Sequence, residues 1–207
     1  MRKRLLPVLL VITLLSSAFG DSHQKTLGRV TASVVRITGQ REMMTFMGPM
    51  TVGYTCTGFV VAAQRVLTAA HCLGANMTAD GKPVVVLKGD VYYDLAVLDV
   101  ATDKPALNIR ERNVTRGEAV TGIGYGWGLT AVTPIEARVM LVDYQVPSDP
   151  NDPMPPMHFY QGQFIGGMSG GPVVDDNGRV VGVVQMAGDG CGLGVGSLLV
   201  RAFLLGV

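Results

Sequence analysis

Short runs of β-branched and other apolar residues recur along most of the chain, and glycine, proline, asparagine and aspartate separate them. Few stretches carry apolar residues at the 3.6-residue spacing of an amphipathic helix, so any helices should be short. Many short strands without intervening helices are typical of an all-β sandwich or of β-barrels. The predicted strands lie at residues 30–37, 52–61, 84–87, 95–100, 120–123, 137–142, 180–184 and 198–200.

Two segments between these runs predict turns or loops. Asn177-Gly178 stands between two pairs of valines, which is a typical sequence for a β-hairpin turn. Five prolines fall between residues 147 and 156, so this segment is not a central strand. We expect an exposed loop there, which serves either as a stiff connector or as a loop that overhangs a substrate cleft.

Composition excludes several classes of protein. The chain has 207 residues, of which 48% are hydrophobic and 16% charged, and this balance excludes an intrinsically disordered protein. The length permits one or two domains with a sizeable core. The formal net charge is +1, which gives no electrostatic reason to expect nucleic acid as a partner.

The first twenty residues have the pattern of a secretory signal peptide. Three basic residues at positions 2–4 precede an apolar run at 5–19, and Ala18 and Gly20 supply the small residues of a cleavage site. The alternative is a membrane anchor, but this run is shorter than the roughly 20 residues that a spanning helix needs. We therefore expect a secreted protein, extracellular or periplasmic, with no stable membrane association after signal cleavage. Cleavage of the signal would remove three of the 17 basic residues. The remaining 14 basic residues stand against 16 acidic residues, so the mature protein would be slightly acidic.

Three separated segments carry residues suited to nucleophilic catalysis. Residues 66–72, Val-Leu-Thr-Ala-Ala-His-Cys, contain His71; residues 94–98, Asp-Leu-Ala-Val-Leu, begin with Asp94; residues 166–172, Gly-Gly-Met-Ser-Gly-Gly-Pro, contain Ser169. A serine hydroxyl is a weak nucleophile at neutral pH and needs a base such as histidine, which a carboxylate orients. Glycines next to the serine allow backbone N–H groups to approach a developing oxyanion.

In this order and with these flanks, the three segments resemble the histidine, aspartate and serine motifs of trypsin/chymotrypsin-like serine peptidases. The resemblance extends from about residue 30 to 200 and is nearer to bacterial and viral members than to digestive zymogens. It implies that His71 is the general base, Asp94 its orienting carboxylate and Ser169 the nucleophile. The N–H groups of Gly167 and Ser169 would form the oxyanion hole.

The resemblance also implies the fold and the domain organisation. It implies an all-β protein of two six-stranded antiparallel barrels with the active site in the cleft between them. The signal would occupy residues 1–20. The N-terminal barrel, with His71 and Asp94, would occupy residues 21–110, and the C-terminal barrel, with Ser169, residues 111–207.

Several other residues have simpler interpretations. Asp90 and Asp99 flank Asp94 but do not begin the Asp-Leu-Ala-Val-Leu segment, and His158 is expected to be a loop or strand residue. The alternating glycines at 122–128 lack the spacing of a phosphate-binding loop, and residues 175–178 lack the ligand series of a calcium loop. We therefore expect no cofactor and no metal.

The resemblance also implies how the three cysteines are used. Cys56 and Cys72 match a family disulfide that brackets the histidine, the alternative being two free buried thiols. Cys191 matches a position that is often bridged, but its usual partner position holds Ile165, so Cys191 is expected to be free.

Departures from the family pattern bear on specificity and activation. The selector of the primary pocket would be Gln163, and its wall would be Gln185, Met186 and Ala187, which favours a small or medium uncharged side chain. Met168 stands where digestive members have an aspartate that binds a newly cut N-terminus, so no proteolytic activation is expected.

The predicted function is a secreted serine endopeptidase that acts on a protein or peptide substrate through an acyl-enzyme intermediate. The alternative is a catalytically weak or inactive binding protein on the same fold.

Overall fold

The computed structural model describes residues 23–147, 153–188 and 190–205, and these form two closed six-stranded antiparallel β-barrels. The first barrel consists of β1 (Val34–Thr45), β2 (Gly48–Ala62), β3 (Arg65–Thr68), β4 (Ala75–Ala79), β5 (Lys82–Asp90) and β6 (Leu95–Val100). The second consists of β7 (Ala119–Gly124), β8 (Thr133–Tyr144), β9 (Met157–Gln161), β10 (Pro172–Val174), β11 (Val180–Gly188) and β12 (Cys191–Gly196). The predicted fold class is confirmed.

The two barrels close in the same strand order. The first barrel has the strand order β1-β2-β3-β6-β5-β4, and the second has the corresponding order β7-β8-β9-β12-β11-β10. Pairing of β3 with β6 sets Thr68 opposite Ala96, so the residues just after β3 lie beside those just before β6. This register is what brings His71 next to Asp94.

Apolar residues fill each barrel and also the space between the barrels. Along β6, Leu98 and Val100 belong to the interior of the first barrel, whereas Leu95 and Val97 belong to a cluster shared with the second barrel. Alternate residues of a strand point to opposite faces, so a strand that lies between two cores is apolar on both. This explains why residues 95–98 are all apolar.

Two short α-helices flank the barrels in the part of the chain that the structure describes. Helix α1 is described from residue 23 to 31, and α2 spans Ser197–Leu204. The predicted strand at residues 198–200 is therefore wrong, and Val30 lies in α1 and not in a strand. In α2 the buried residues Ser197, Val200 and Phe203 recur every three positions, as expected for one face of a helix. The apolar run at 198–200 is too short to distinguish the period of a helix from that of a strand.

Residues 101–118 connect the barrels and are fixed to both of them. The Leu107 N–H donates to Val60 O of the first barrel at 2.8 Å, and the Arg110 N–H donates to Val180 O of the second at 2.9 Å. The buried Arg110 guanidinium also bonds the Glu118 carboxylate. The predicted division between residues 110 and 111 falls within this connection.

The turn predictions can be compared with the structure where it is described. Asn177 and Gly178 lie in the turn that joins the antiparallel strands β10 and β11, so the predicted hairpin is confirmed. Residues 145–147 and 153–156 are irregular, as expected of the proline-rich loop. Its residues 148–152, like the predicted signal at 1–20, lie outside the described residues. None of the described helices is long and apolar enough to cross a membrane.

Candidate active site

His71 and Asp94 form a doubly hydrogen-bonded pair at one end of the first barrel. His71 lies in a short 3-10 turn, Ala70–Cys72, directly after β3, and Asp94 directly precedes β6. The His71 N–H donates to Asp94 Oδ1 at 2.8 Å, and His71 Nδ1 lies 2.7 Å from Asp94 Oδ2. An ionised carboxylate only accepts hydrogen bonds, so Nδ1 carries a proton. The other ring nitrogen, Nε2, is then free to accept a proton from a nucleophile.

Ser169 lies in the loop between β9 and β10 of the second barrel. Its hydroxyl donates to Gln185 O at 3.4 Å, and its carbonyl oxygen accepts from the Thr57 N–H at 2.9 Å. Within the described residues, the Ser169 hydroxyl makes no hydrogen bond to His71 in this conformation. Such bonds are often long or poorly aligned without a substrate and tighten when one binds.

Gln185 connects the serine to the aspartate across the two barrels. This buried residue accepts the Ser169 hydroxyl on its backbone carbonyl, while its side-chain Nε2 donates to Tyr93 O at 2.7 Å and to Asp94 O at 3.0 Å. The sequence predicted that Gln185 lines a specificity pocket, but its side chain is directed to the backbone of residues 93 and 94 instead. The barrels meet here, and the amide supplies a donor to the Tyr93 carbonyl. The Asp94 carbonyl accepts from the Ala70 N–H as well.

The loop before Ser169 presents two backbone N–H groups without partners. Gly167 has a φ of +95°, and a Cβ there would lie 2.3 Å from Tyr125 O, so only glycine fits. The Trp127 N–H donates to Gly166 O at 2.6 Å. Because the C=O and N–H of a trans peptide point in opposite directions, this bond turns the Gly167 N–H to the other side. Among the described residues, neither the Gly167 nor the Ser169 N–H donates a hydrogen bond.

A groove of about 630 Å³ borders this loop. It touches Gly166 and Gly167, and its walls include Tyr54 and Trp127, the latter 77% exposed. Burial raises the pKa of Tyr54, so its hydroxyl stays protonated at neutral pH and donates to Cys72 O at 2.6 Å. Its lining includes Gly167 but not Ser169, His71 or Asp94, so the groove lies beside the site and does not contain it.

The other predicted pocket residues lie at the surface. Gln163, Met186 and Ala187 are exposed. One residue that the sequence did not predict to be near the site is Phe164. It is buried, and its ring packs where side chains at Gly122 and Gly192 would lie. The glycines on β7 and β12 could have indicated this packing, because positions without a side chain leave room for an aromatic ring inside a barrel.

Thr57 is a second residue that sequence reasoning missed. It is fully buried on β2, and its hydroxyl donates to Gly167 O at 2.8 Å. Only its place between Cys56 and a glycine distinguished it in the sequence.

The disulfide Cys56–Cys72 is present in the structure, and Cys191 is a free cysteine. Cys56, His71 and Cys72 carry potential ligand atoms within 4.8 Å of one another. They do not fit a metal ion, because both sulfurs are joined in the disulfide and neither is a thiolate.

The remaining candidates lie outside the site. Asp90 accepts from the Tyr93 N–H, and Asp99 pairs with Arg65. His158 is buried on β9, where its Nδ1 accepts from the Asp143 N–H at 3.2 Å. None of the three contacts His71.

Two antiparallel six-stranded barrels, with a histidine–aspartate pair on one and a glycine-framed serine on the other, define the class of chymotrypsin-like serine peptidases. The family model of the trypsin-like peptidase domain matches residues 56–183, more than half of the chain. The chain therefore belongs to the trypsin-like peptidase family.

Several known proteins are similar to this chain. Serine protease Rv3671c of Mycobacterium tuberculosis is 33% identical over 138 residues, which are 62% of this chain and 35% of the relative. The chain thus spans about a third of the length of the curated relatives that it matches. The crystal structure of Rv3671c protease in its active form has a TM-score of 0.76 and 28% identity, covering 87% of this chain and 82% of that one.

A more distant structure has the same fold. The HtrA-type protease AlgW, solved with a decapeptide, has a TM-score of 0.71 at 16% identity and covers 86% of this chain and 65% of that one. At this identity the likeness extends to the fold alone.

Proposed function

We propose that this chain is a serine endopeptidase that hydrolyses peptide bonds through an acyl-enzyme intermediate. The observation that carries the proposal is the double hydrogen bond between His71 and Asp94, at 2.8 and 2.7 Å, with Gln185 linking Asp94 to Ser169. An imidazole fixed in this tautomer has a free nitrogen to accept the serine proton.

The reaction begins with attack of Ser169 Oγ on the scissile carbonyl carbon. The hydroxyl leaves Gln185 O and passes its proton to His71 Nε2 while the C–O bond forms. The carbonyl oxygen becomes an oxyanion, which the N–H groups of Gly167 and Ser169 bind. Collapse breaks the C–N bond, and His71 returns the proton to the leaving amine.

Hydrolysis of the acyl-enzyme repeats the same steps with water. His71 takes a proton from the water molecule, whose oxygen attacks the ester carbonyl. The bond to Ser169 Oγ breaks, and the proton returns to the serine. Asp94 stays ionised throughout and stabilises the imidazolium that forms twice in the cycle.

The preferred substrate is a peptide with a small or medium uncharged residue before the scissile bond. Gln163 carries no charge to pair with arginine or lysine, and the Phe164 ring occupies the volume beside Gly192. A peptide library tests this preference: enrichment of arginine or lysine before the cleaved bond would contradict it.

Export of the chain is part of the proposal. The disulfide Cys56–Cys72 supports it, because disulfides persist mainly in oxidising compartments. Expression in a bacterial host followed by N-terminal sequencing of the exported protein tests cleavage after Gly20; a retained N-terminus in the membrane fraction would favour the anchor.

A fluorophosphonate probe, which reacts with an activated serine and releases fluoride, tests the proposed activity. The parent protein should be labelled on Ser169, and Ser169→Ala should lose both the label and peptide hydrolysis, the latter by roughly 10³-fold or more. Ser197→Ala, which changes a buried serine outside the candidate site, is the control and should be labelled like the parent. A folded parent that neither reacts with the probe nor cleaves any library peptide would favour the alternative, a binding protein on this fold.

A further inference from the structure

Thr57 is a buried residue of the first barrel that contacts the loop carrying the nucleophile of the second. Its N–H donates to Ser169 O at 2.9 Å, and its hydroxyl donates to Gly167 O at 2.8 Å. The same hydroxyl accepts from the Tyr125 N–H at 2.9 Å, and Thr57 O accepts from the Thr68 hydroxyl at 2.8 Å. Each of its polar groups therefore has a partner, and three of the four partners belong to the second barrel.

These contacts hold the two residues whose N–H groups would bind the oxyanion. Gly167 is free to adopt many backbone conformations, and its φ of +95° lies in the region that favours glycine. The Gly166 carbonyl is fixed on one side by the Trp127 N–H, and the Gly167 carbonyl is fixed on the other by Thr57. Both peptide planes that flank Gly167 are thus anchored, and the direction of its N–H follows.

Within the part of the chain that the structure describes, no charged side chain hydrogen-bonds the loop around Gly167. The residue between Gly167 and Ser169 is Met168, which is fully buried in the apolar interior of the second barrel. A thioether is at most a weak acceptor and does not bind an ammonium group. Among the described residues, the Thr57 hydroxyl is the side-chain donor from the opposite barrel to a carbonyl of this loop.

We propose that Thr57 is a positioning residue whose hydroxyl holds the oxyanion-hole loop in its binding conformation; this inference rests on the proposed peptidase function. Because Thr57 lies on β2, the loop is held only when the two barrels are docked. Docking of the barrels, and not the release of a new N-terminus, then completes the oxyanion hole.

The hydroxyl matters here because it donates and accepts at once. Valine has nearly the same shape but has neither capacity, so Thr57→Val leaves the Gly167 carbonyl and the Tyr125 N–H without partners. Both groups would then seek other partners, and the loop around Gly167 would shift. Thr57→Ser retains the hydroxyl and loses one methyl group, so it is the matched control.

Kinetics on the two variants test the proposal. Thr57→Val should lower kcat for a peptide substrate by about 100-fold, the scale of losing one oxyanion-hole donor, with KM within about threefold of the parent. Affinity for a peptide boronate, whose oxygen occupies the hole, should fall in parallel. The pH at half-maximal kcat/KM should not move, because Thr57 does not contact His71 or Asp94. Thr57→Ser should retain kcat within about threefold.

Several outcomes would overturn the inference. A Thr57→Val protein with near-parental kcat, or a Thr57→Ser protein as impaired as Thr57→Val, would show that the hydroxyl does not position the loop. If Thr57→Val does not fold, amide hydrogen exchange of the parent decides: the Tyr125 N–H should exchange slowly, and fast exchange would refute the bond. A parent unreactive to the fluorophosphonate probe would instead refute the proposed function itself.

Discussion

Asp94 is the residue whose two carboxylate oxygens both serve a single neighbour. One oxygen accepts from the His71 backbone and the other lies against the ring, so the carboxylate sets both the position and the tautomer of the imidazole. A φ of +48° at Asp94 turns its side chain back over the end of β3, a conformation that aspartate tolerates better than most residues. The proposed mechanism depends at this scale on one carboxylate.

Replacement of this carboxylate should therefore abolish most of the activity without loss of the fold. Asp94→Asn retains the shape but presents an amide to the ring, which favours the wrong tautomer, so kcat should fall by about 10⁴-fold with little change in KM. Steady-state kinetics measures the change. Asp99→Asn, at a half-exposed position paired with Arg65, is the control and should keep its activity. An Asp94→Asn enzyme within tenfold of the parent would contradict the assigned role.

At the scale of single elements, the turn that carries His71 is tied to β2 by the Cys56–Cys72 disulfide. The sequence separation is 16 residues, and closing a loop of this size stabilises a fold by about 3 kcal/mol in the chain-entropy model. The double variant Cys56→Ser/Cys72→Ser should lower the free energy of unfolding by about that amount and reduce kcat, because the histidine turn loses its anchor. Denaturant unfolding and kinetics test both effects.

The third cysteine supplies the control for this prediction. Cys191 is half-buried at the start of β12 and is free, so Cys191→Ser should leave stability and kcat near those of the parent. Alkylation of the unreduced parent, followed by mass mapping, should label Cys191 alone. Equal loss of stability in the Cys191→Ser protein would contradict the assigned pairing.

Strand β9 contains a buried histidine that should make stability depend on pH. Burial lowers the pKa of His158, and the nearby Asp143 carboxylate only partly opposes this effect. The unfolded chain binds a proton near the ordinary value of about 6.5, whereas the folded protein resists protonation. The stability from this residue is therefore complete above that value and is lost as the pH falls below it, by at most about 1.4 kcal/mol per pH unit.

Urea unfolding between pH 7.5 and 5 measures this loss. His158→Gln keeps an acceptor for the Asp143 N–H but does not titrate, so its stability should change less with pH than that of the parent. The difference between the two slopes isolates His158 from the other histidines. Identical slopes would show that this residue does not contribute.

Sequence motifs predicted the elements of the site better than they predicted the contacts between elements. The segments around His71, Asp94 and Ser169 are short local motifs, so each can be recognised from its own neighbouring residues. Gln185 and Thr57 contact residues more than 90 positions away, and those contacts exist only because two barrels dock. Helix α2 was not predicted because its local pattern is ambiguous. Three apolar residues in a row are compatible with the 2-residue period of a strand and with the 3.6-residue period of a helix.

At the scale of the whole molecule, the two barrels are joined through the site as well as through the connecting segment. Thr57 and Gln185 each bond residues of the opposite barrel, and the cluster with Leu95, Val97, Val183 and Val195 fills the space between them. The groups of the proposed catalytic site are therefore aligned by the same surfaces that hold the barrels together. Substitutions that loosen this interface should lower activity before they unfold either barrel.

The N-terminal end of the described chain packs against a different turn from the loop that would form the oxyanion hole. Helix α1 packs against the turn between β10 and β11: Thr26 and Val30 lie beside Gly178, and Arg29 donates to Asn177 O. This turn is at the end of β10 away from Ser169. Met168 is buried and apolar, and an ammonium group placed beside it without a partner would cost several kcal/mol.

Activity should therefore not require a free N-terminus. Residues 21–207 can be produced behind a short inert tag with a protease site, and kcat/KM of the tagged protein should lie within about twofold of the value after tag removal. The physical reason is that Thr57 and Trp127, both internal to the chain, hold the two carbonyls around Gly167. A tagged protein that is folded but inactive, and that gains activity only when the tag is cut, would contradict the prediction that Met168 needs no free N-terminus beside it. The Thr57→Val variant should remain impaired whether or not the tag is removed, since its defect lies within the loop contacts.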